Sequence, residues 1–301
     1  MRIFVTGATG FVGFSVSAAL RRAGHEVWGL TRSEDKARRL KKREIHPVVG
    51  TLQDQESLRE VVDRCSVLVH AAVDPDDTAS LDRDTVDFLL SRSREESPKT
   101  LVYTSGVWIY GATRDGKVDE SSPQRPIRLA AQRGETEKRV LAAPGGRGLV
   151  LRPGCVYGKQ GGLTGLFFAA AQKSVGEEGS GIRVAGDLRA RWAMVHADDL
   201  ADAYVRAIDQ GASGVFNVVD RSRSSIGSMT RAAARAQGVG GEVVSMSPEE
   251  AAQAFGQLAE GLALDQHVDG SKAARHLGWN PRHGGFVDGV AEYLISWQAS
   301  R

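Results

Sequence analysis

The chain has 301 residues, enough for one large domain or two smaller ones with a substantial hydrophobic core. Its composition, 41% hydrophobic and 25% charged, is that of an ordinary globular protein. With 39 basic and 37 acidic residues the net charge is only +2, which argues against the strongly basic surface that nucleic-acid binding needs, so nucleic acid is not an expected partner.

Cysteine content and hydropathy indicate the compartment. Cys65 and Cys155 both stand in apolar, strand-like segments, so we expect reduced thiols and a cytoplasmic protein rather than a disulfide framework. No apolar run reaches the roughly eighteen residues of a membrane span, and the first strand is predicted to begin at Arg2, so neither a membrane partner nor a signal peptide is expected. No spacing among the seven histidines indicates a metal site.

Short apolar runs alternate with amphipathic segments in the first half of the chain, the pattern of a parallel sheet with helices on both faces. The apolar runs occur at Ile3–Thr6, Glu26–Leu30, Val48–Val49, Val67–His70, Leu101–Thr104, Leu149–Leu151 and Val215–Val219. A helix is predicted from Phe11 to Ala23, and Gly24 is placed to end it. The predicted fold class is α/β, a doubly wound parallel Rossmann sheet with a smaller C-terminal substrate-binding lobe.

The second half of the chain has a different character. Helical patterns are predicted at Asp199–Asp209 and Ile226–Gln237. We predict a dinucleotide-binding Rossmann core in residues 1–160. Residues 161–301 are predicted to form mainly the substrate lobe, with a return to the sheet near 215–219.

The start of the chain carries a glycine-rich turn. Residues 1–13 read MRIFVTGATGFVG, a strand followed by Gly7, Gly10 and Gly13 and then a helix. A dinucleotide pyrophosphate needs backbone N–H donors at a helix N-terminus, and glycine permits both the tight turn and the close approach. The predicted phosphate site comprises Gly7, Thr9, Gly10, Phe11, Val12 and Gly13.

The end of the second strand indicates which dinucleotide is bound. An NAD site usually carries an acidic residue there to hold the ribose hydroxyls, but this chain has Arg32 and Ser33, with Lys36 close behind. A guanidinium suits a 2′-phosphate and cannot replace a carboxylate acceptor. We therefore predict a preference for NADP(H) over NAD(H), with Arg32 and Ser33 in the site.

Further motifs follow in a fixed order along the chain. They are Val69–Ala72, Tyr103–Ser105, Ile109–Gly111, Leu151–Pro153, Val156–Gly158, Val195–Ala201 and Leu277–Pro281. Together with the glycine-rich turn, they make the chain resemble the extended short-chain dehydrogenase/reductases, the NAD-dependent epimerase/dehydratase group, over nearly its whole length. The resemblance implies further cofactor contacts at Leu52, Ala71, Ala72, Val73, Thr104, Ser105, Arg133, Pro153 and Val156.

The chain departs from that family at its proton donor, a tyrosine four residues before a lysine on one helix. The tyrosines at 103, 110, 157, 204 and 293 are followed four residues later by Val107, Arg114, Gly161, Ile208 and Trp297. Counting back from Glu137–Leu141, which resembles the end of the family's helix, places Leu129 at the tyrosine position and Arg133 at the lysine position. Leucine donates no proton, and arginine stays charged.

The family's serine is displaced as well. Its usual position holds Gly106, so Thr104 and Ser105, one or two residues early, are the candidates for a catalytic hydroxyl. His70 is interpreted as a strand-end residue rather than a base, and Asp198 and Asp199 as caps of the following helix.

Loss of a general acid costs about 10²–10⁴ in rate, whereas holding a nicotinamide against its target contributes about 7–11 kcal/mol. Reduction of an easy carbonyl is therefore favoured over oxidation of a sugar alcohol, which needs a base. The predicted function is an NADPH-dependent ketoreductase whose new alkoxide takes its proton from solvent or from a hydroxyl of the substrate. An NDP-sugar epimerase or dehydratase, and a redox sensor that binds NADP(H) without turnover, stay open as alternatives.

The expected partner is a small-molecule substrate. Arg191 lies one residue from the position where family members hold a sugar nucleotide's diphosphate. The predicted pocket residues are instead apolar: Val107, Trp108, Leu129, Phe167, Phe168 and Trp192. Such a lining favours a flat, apolar ligand, and an aromatic, polyketide-like ketone of antibiotic biosynthesis fits it.

Overall fold

The computed structural model describes residues 1–73, 78–113, 116–143, 145–175 and 181–301. Its strands are β1 Arg2–Thr6, β2 Glu26–Thr31, β3 His46–Val49, β4 Val67–His70, β5 Thr100–Thr104, β6 Arg147–Pro153, β7 Cys155–Tyr157, β8 Ile182–Val184, β9 Met194–His196, β10 Gly214–Val218 and β11 Val243–Ser245. Its helices are α1 Phe11–Arg22, α2 Glu34–Lys41, α3 Gln55–Arg64, α4 Thr78–Ser91, α5 Arg133–Leu141, α6 Gly165–Ser174, α7 Ala197–Asp209, α8 Ile226–Ala236, α9 Pro248–Phe255, α10 Leu258–Leu262, α11 Ser271–Leu277 and α12 Val290–Gln298.

Seven strands form one parallel sheet in the order β10-β6-β5-β4-β1-β2-β3, which confirms the predicted doubly wound α/β fold. Each of the seven apolar runs singled out in the sequence corresponds to one of these strands. The chain winds outward from β1 in one direction and from β4 in the other. The strand order therefore reverses between β1 and β4, and ligands of such sheets bind outside the carboxyl ends of the strands at that point.

The alternation of side chains along β1 shows how the sheet is buried on both faces. Ile3 and Val5 pack into the layer that contains α1 and α7, whereas Phe4 faces the opposite layer, and none of the three is exposed. Gly24, with φ of 91°, follows the end of α1 as the sequence predicts. Within the described ranges, no helix is long and apolar enough to cross a membrane.

The second half of the chain divides its elements between two layers. β10 pairs in parallel with β6, and α7 packs on α1, so both belong to the sheet region. The pairs β7–β9 and β8–β11 lie outside the main sheet. A separate core surrounds Phe168 and Phe286, which are 0% and 1% exposed, and includes α6, α8 and α12.

Candidate active site

The glycine-rich turn joins β1 to α1 at the point where the strand order reverses. Gly7 has a φ of 68°, and a Cβ there would lie 2.6 Å from the carbonyl oxygen of Ala71. A Cβ on Gly13 would collide with the carbonyl oxygen of Gly7. These two glycines are therefore required by the packing of the turn itself.

Gly10 has a different role. It is the N-cap of α1, and its own N–H donates to the Gly7 carbonyl oxygen at 2.9 Å. A Cβ on Gly10 would meet only that oxygen, at 3.2 Å, so the space in front of the helix is kept open. The first-turn N–H groups of α1 lack intrahelical acceptors, as at every helix N-terminus, and can bind an anion.

Two adjoining cavities run along the carboxyl ends of the central strands, and Val73 lines both. The first, called here the dinucleotide cleft, is lined by Gly7, Thr9, Gly10, Leu30, Thr31, Arg32, Lys36, Gly50, Thr51, Leu52, Gln53, Ala71, Ala72, Val73 and Leu81. The second, called here the apolar cavity, is lined by Phe11, Val12, Val73, Ser105, Gly106, Val107, Trp108, Leu129, Ala130, Arg133, Pro153, Gly154, Cys155, Val156, Gly162, Leu163, Phe255, Gln257 and Leu258. Its volume is about 810 Å³.

The two cavities bring together most of the predicted cofactor residues. Three predicted cofactor residues line neither cavity. They are Gly13 in the first turn of α1, Ser33 and Thr104. The Ser33 hydroxyl caps α2 by accepting from Lys36 N at 3.4 Å. The Thr104 hydroxyl lies 2.5 Å from the Tyr204 hydroxyl, so it is directed toward α7.

The cleft fits a nicotinamide dinucleotide. The open helix N-terminus behind Gly10 suits the pyrophosphate, and Arg32, just after β2, and Lys36, in α2, add positive charge to the lining of the cleft. The first cavity joins the second at Val73, so a molecule extended along the strand ends reaches the apolar cavity.

Few polar side chains face the apolar cavity. Ser105 is 5% exposed, and its hydroxyl has no hydrogen-bond partner among the residues described. Arg133, at the start of α5, donates from Nη1 to the carbonyl oxygen of Thr104 at 2.8 Å. Leu129, in the 3-10 turn before α5, also lines the cavity, so the residue at the predicted tyrosine position faces the same space as Ser105 and Arg133.

Sequence reasoning missed one wall of this cavity. Phe255, Gln257 and Leu258, from the end of α9 and the start of α10, close it. A Cβ on Gly261 would lie 2.7 Å from the Trp108 ring, so α10 packs directly on that indole.

The structure corrects the predicted substrate pocket. Of the predicted pocket residues, Val107, Trp108 and Leu129 line the apolar cavity, whereas Phe167, Phe168 and Trp192 do not. Phe167 and Phe168 are 3% and 0% exposed and pack with Phe286 in the core of the C-terminal half. Trp192 packs on Phe167, and its indole N–H donates to the Leu262 carbonyl oxygen at 3.1 Å. Aromatic residues of this kind serve a core and a pocket equally, so the sequence could not separate the two.

No tyrosine is found among the residues that line the apolar cavity. All five are buried, and burial raises the pKa of each phenol, to about 12 for Tyr293. A catalytic tyrosine needs the opposite shift, because a neighbouring cation must make it a better acid.

Tyr103 belongs to a buried network beneath the cavity. Its hydroxyl donates to Asp82 at 2.8 Å, and Asp82 lies 3.2 Å from His70 Nε2. His70 Nδ1 lies 2.7 Å from the Thr6 hydroxyl. Burial raises the pKa of Asp82, but the hydrogen bond and charge of His70 outweigh it and keep that pKa low. Both ring nitrogens of His70 are therefore engaged by Thr6 and Asp82 at the end of β4.

Tyr110 belongs to a second buried network. Its hydroxyl accepts from Arg152 Nη1 at 2.6 Å and donates to Asn217 at 2.8 Å. Arg152 Nε donates to Glu137 at 2.9 Å, and both partners of that ion pair are at most 3% exposed. Removing either charge would leave the other buried and unpaired, so this tyrosine has a structural role.

The acidic pair after β9 has a more specific role than helix capping. His196 is the N-cap of α7, accepting from Asp198 N at 3.1 Å. The Asp199 carboxylate accepts from the backbone N–H groups of Arg282 and His283 at 3.0 and 3.1 Å. Asp199 therefore fixes the loop before α12, and the first-turn position of both acids also suits the helix dipole.

His196, Asp198 and His283 lie close enough for one ion, with their ligand atoms within 4.8 Å of one another. The two imidazole rings, however, stack 3.5 Å apart at 17°. In nearly parallel rings the in-plane lone pairs do not converge on one point, and Asp198 is already 2.6 Å from Lys159 Nζ. This geometry favours packing over metal binding.

The order of strands, the glycine-rich turn and the cleft at the reversal point agree with one family comparison. The model of the NAD dependent epimerase/dehydratase family matches residues 3–219. The chain belongs to that family. It is an NAD(P)-dependent oxidoreductase of the short-chain dehydrogenase/reductase type, and its cofactor is a nicotinamide dinucleotide.

Individual relatives extend the comparison. An uncharacterized protein of Schizosaccharomyces pombe is 30% identical, covering 97% of this chain and 98% of its own length. A 4-hydroxy-2-methyl-3-oxo-4-farnesyl-3,4-dihydroquinoline-1-oxide ketoreductase of Stigmatella aurantiaca is 29% identical, covering 87% of this chain and 80% of its own length. Among solved structures, UDP-glucose 4-epimerase of Thermotoga maritima has a TM-score of 0.82, 20% identity and coverage of 100% and 99%. At that identity the likeness shows the fold alone.

Proposed function

We propose that this protein is an NADPH-dependent ketoreductase that acts on a bulky, apolar carbonyl compound without a tyrosine acid. The observation that carries the proposal is the apolar cavity at the end of the dinucleotide cleft. Its walls are apolar, and the uncommitted hydroxyl of Ser105 and the guanidinium of Arg133 face it. The relative named a ketoreductase, whose substrate name describes a farnesylated quinoline, supports a large apolar ligand.

The chain's own residues account for carbonyl activation. The bound dinucleotide supplies the hydride. Ser105, which is buried and has no hydrogen-bond partner in the described part of the chain, donates a hydrogen bond to the substrate's carbonyl oxygen. Arg133 stays charged and offsets the negative charge that develops on that oxygen.

The substrate body occupies the remainder of the cavity. Leu129, Trp108 and Leu258 contact it, and together they exclude water from the carbonyl. Because neither Leu129 nor Arg133 gives up a proton, the alkoxide takes its proton from solvent or from a neighbouring hydroxyl of the substrate. An aromatic, polyketide-like ketone with an acidic phenol beside the carbonyl satisfies both requirements.

The cavity does not favour the sugar-nucleotide alternative. A diphosphate needs cationic partners, whereas the wall at Phe255 and Leu258 is apolar and Arg191 does not line this cavity. Oxidation of a sugar hydroxyl also needs a base, and no described residue of the lining other than Arg133 is ionised at neutral pH.

Turnover of NADPH tests the proposal. The purified protein is incubated with NADPH and a panel of quinones and polycyclic ketones, and absorbance is followed at 340 nm. We expect turnover with an apolar ketone, and a loss of about tenfold to a hundredfold in kcat for Ser105→Ala. Ser17→Ala is the matched control, because Ser17 is also a buried serine without a partner but lies in α1 away from the cavity.

Two results would contradict the proposal. Tight NADPH binding without turnover of any ketone in the panel would favour the redox-sensor alternative. Conversion of a UDP-sugar at a rate above that of every ketone would favour the epimerase alternative.

A further inference from the structure

A second concave site lies at the carboxyl end of β10. It is called here the cationic pocket, has a volume of about 300 Å³ and shares no described lining residue with the apolar cavity. Its apolar side is formed by the buried side chains of Trp192, Val219 and Trp279. The positively charged and imidazole side chains that line it are Lys117, Arg191, Arg221, Arg223 and His267.

The two carboxylates that line the cationic pocket are bound by groups other than its guanidinium groups, and Asp269 pairs with one lining cation, Lys117. Asp269 Oδ2 lies 2.9 Å from Lys117 Nζ, and its Oδ1 accepts from Ser271 N at 2.9 Å. Asp220 Oδ1 accepts from the backbone N–H and the hydroxyl of Ser222, and its Oδ2 is buried. Neither acid is therefore paired with a guanidinium of the pocket.

Three guanidinium groups remain without an acidic partner among the residues that the structure describes. Arg221 donates to the Asn280 side chain at 3.0 Å, and Arg223 Nη2 lies 3.4 Å from His267 Nδ1. The Arg191 side chain makes no hydrogen bond or ion pair with the described residues, although its backbone N–H donates to Asp265 at 2.9 Å. Like charges gathered in this way repel one another unless an anion lies among them.

The pKa of His267 reflects the cationic side chains around it. Burial and then the charges of Arg223 and Lys117 lower the pKa of its imidazole. Asp269 opposes them, and Arg191 adds a smaller lowering effect. Three cations from separate segments of the chain thus act on one point in the pocket.

We infer that the cationic pocket is a binding site for a phosphate group, distinct from the dinucleotide cleft and from the apolar cavity. Guanidinium groups bind phosphate oxygens through paired N–H donors. Arg191 and Arg223 line the pocket, and the charges of both act on His267. A volume of about 300 Å³ leaves room for more than the phosphate itself, so a small phosphomonoester is accommodated as well as the free ion.

The test is calorimetric titration of the full chain with inorganic phosphate, with ionic strength held constant by chloride. Saturating NADP⁺ is present so that the phosphate sites of the dinucleotide cleft are filled. We expect saturable binding of one phosphate per chain that weakens by roughly tenfold or more in the double variant Arg191→Gln, Arg223→Gln. A second titration with glycerol 3-phosphate distinguishes the two ligands. Tighter binding than that of inorganic phosphate would show that the pocket recognises a phosphomonoester, and equal binding would show that it recognises the phosphate group alone.

Arg189→Gln is the matched control. Arg189 is 92% exposed, lies two residues from Arg191 and does not line the pocket. Its substitution therefore changes the net charge of the protein without changing the lining of the pocket. This variant is expected to bind phosphate as the parent does. Circular dichroism and thermal unfolding of each variant establish that these exposed substitutions leave the fold intact. Absence of saturable binding in the parent, or equal affinity in the parent and the double variant, would overturn the inference.

Discussion

Arg133 Nη1 donates a 2.8 Å hydrogen bond to the carbonyl oxygen of Thr104. This bond fixes a permanent positive charge beside Ser105, at the carboxyl end of the strand that borders the apolar cavity. In the family's tyrosine–lysine pair, a lysine stands at this helix position, and its charge lowers the pKa of the tyrosine. In the proposed mechanism, Leu129 stands at the tyrosine position and the charge of Arg133 acts on the substrate oxygen directly.

Removing that charge is expected to slow reduction more than binding. Arg133→Met keeps much of the side chain's length but loses the charge, so kcat should fall by roughly tenfold or more while KM changes less. Arg133→Lys should retain more activity than Arg133→Met. The control is Arg128→Met in the preceding 3-10 turn, whose side chain does not line the cavity. Unchanged kcat in Arg133→Met would show that the guanidinium is only structural.

The second prediction concerns the choice of cofactor. Arg32 lines the dinucleotide cleft together with Lys36, and no described residue of the cleft carries a carboxylate. Arg32→Ala should weaken NADPH binding by about tenfold, a loss of roughly 1.4 kcal/mol, and leave NADH binding nearly unchanged. Arg38→Ala in α2 is the control, because Arg38 is exposed and pairs with Asp35 outside the cleft. Equal affinity of the parent for NADPH and NADH would contradict the prediction.

Substitutions at two glycines of the glycine-rich turn should impair different properties, dinucleotide binding in one case and stability in the other. A side chain at Gly10 points into the open space before α1, so Gly10→Val should abolish dinucleotide binding in a protein that still folds. A side chain at Gly13 collides with the backbone of Gly7, so Gly13→Val should lower the free energy of unfolding itself. Thermal unfolding without ligand, together with fluorescence titration by NADPH, separates the two effects. Tight binding by folded Gly10→Val would show that the turn is not the phosphate site.

Acid should destabilise the protein through His196. Burial, and then the charge of the stacked His283, lower the pKa of His196 from 6.5 to about 4. The unfolded chain therefore binds the extra proton between these values, so the stabilising contribution is complete above pH 6.5 and is lost as the pH falls toward 4.

Denaturant unfolding of parent and His196→Asn from pH 4 to 8 measures this contribution. Asparagine can still cap α7, so the variant should fold. Its stability should depend less steeply on pH than that of the parent, by about 1 kcal/mol per pH unit within the window. Parallel curves for the two proteins would contradict the assignment to His196.

The sequence predicted the sheet well for a physical reason. Strands buried on both faces contain continuous apolar runs, such as Val67–Val69 in β4, and cannot be mistaken for surface segments. The glycine-rich turn was equally clear, because Gly7 and Gly13 meet backbone atoms that tolerate no side chain.

The walls of the two pockets were harder to predict. Phe167 in the core and Trp108 in the cavity are chemically alike, and only the three-dimensional packing separates them. Ser247 and Glu250 form a capping box that marks the start of α9, but nothing in the sequence indicates that this helix ends at the cavity. The charged residues of the cationic pocket come from separate segments of the chain, so no sequence motif predicts the pocket.

Catalysis is expected to proceed without any tyrosine of this chain. Tyr103, Tyr110 and Tyr157 are buried away from the apolar cavity, and their pKa values are raised by burial. Replacing each by phenylalanine should change turnover of the folded protein only modestly, far less than the hundredfold or more of a lost general acid. Tyr110→Phe should instead lower stability by about 1–3 kcal/mol, because Arg152 and Asn217 lose a buried partner.

The proton should come from outside the protein. For a ketone with an acidic hydroxyl beside the carbonyl, methylation of that hydroxyl is expected to reduce kcat more than any of the three phenylalanine substitutions, because the alkoxide then depends on solvent alone. Binding of the methylated analogue is measured separately, so that lost affinity is not mistaken for lost proton transfer. One Tyr→Phe variant that loses activity while it binds NADPH and ketone and unfolds as the parent does would overturn this mechanism, since a displaced phenol would then be the acid.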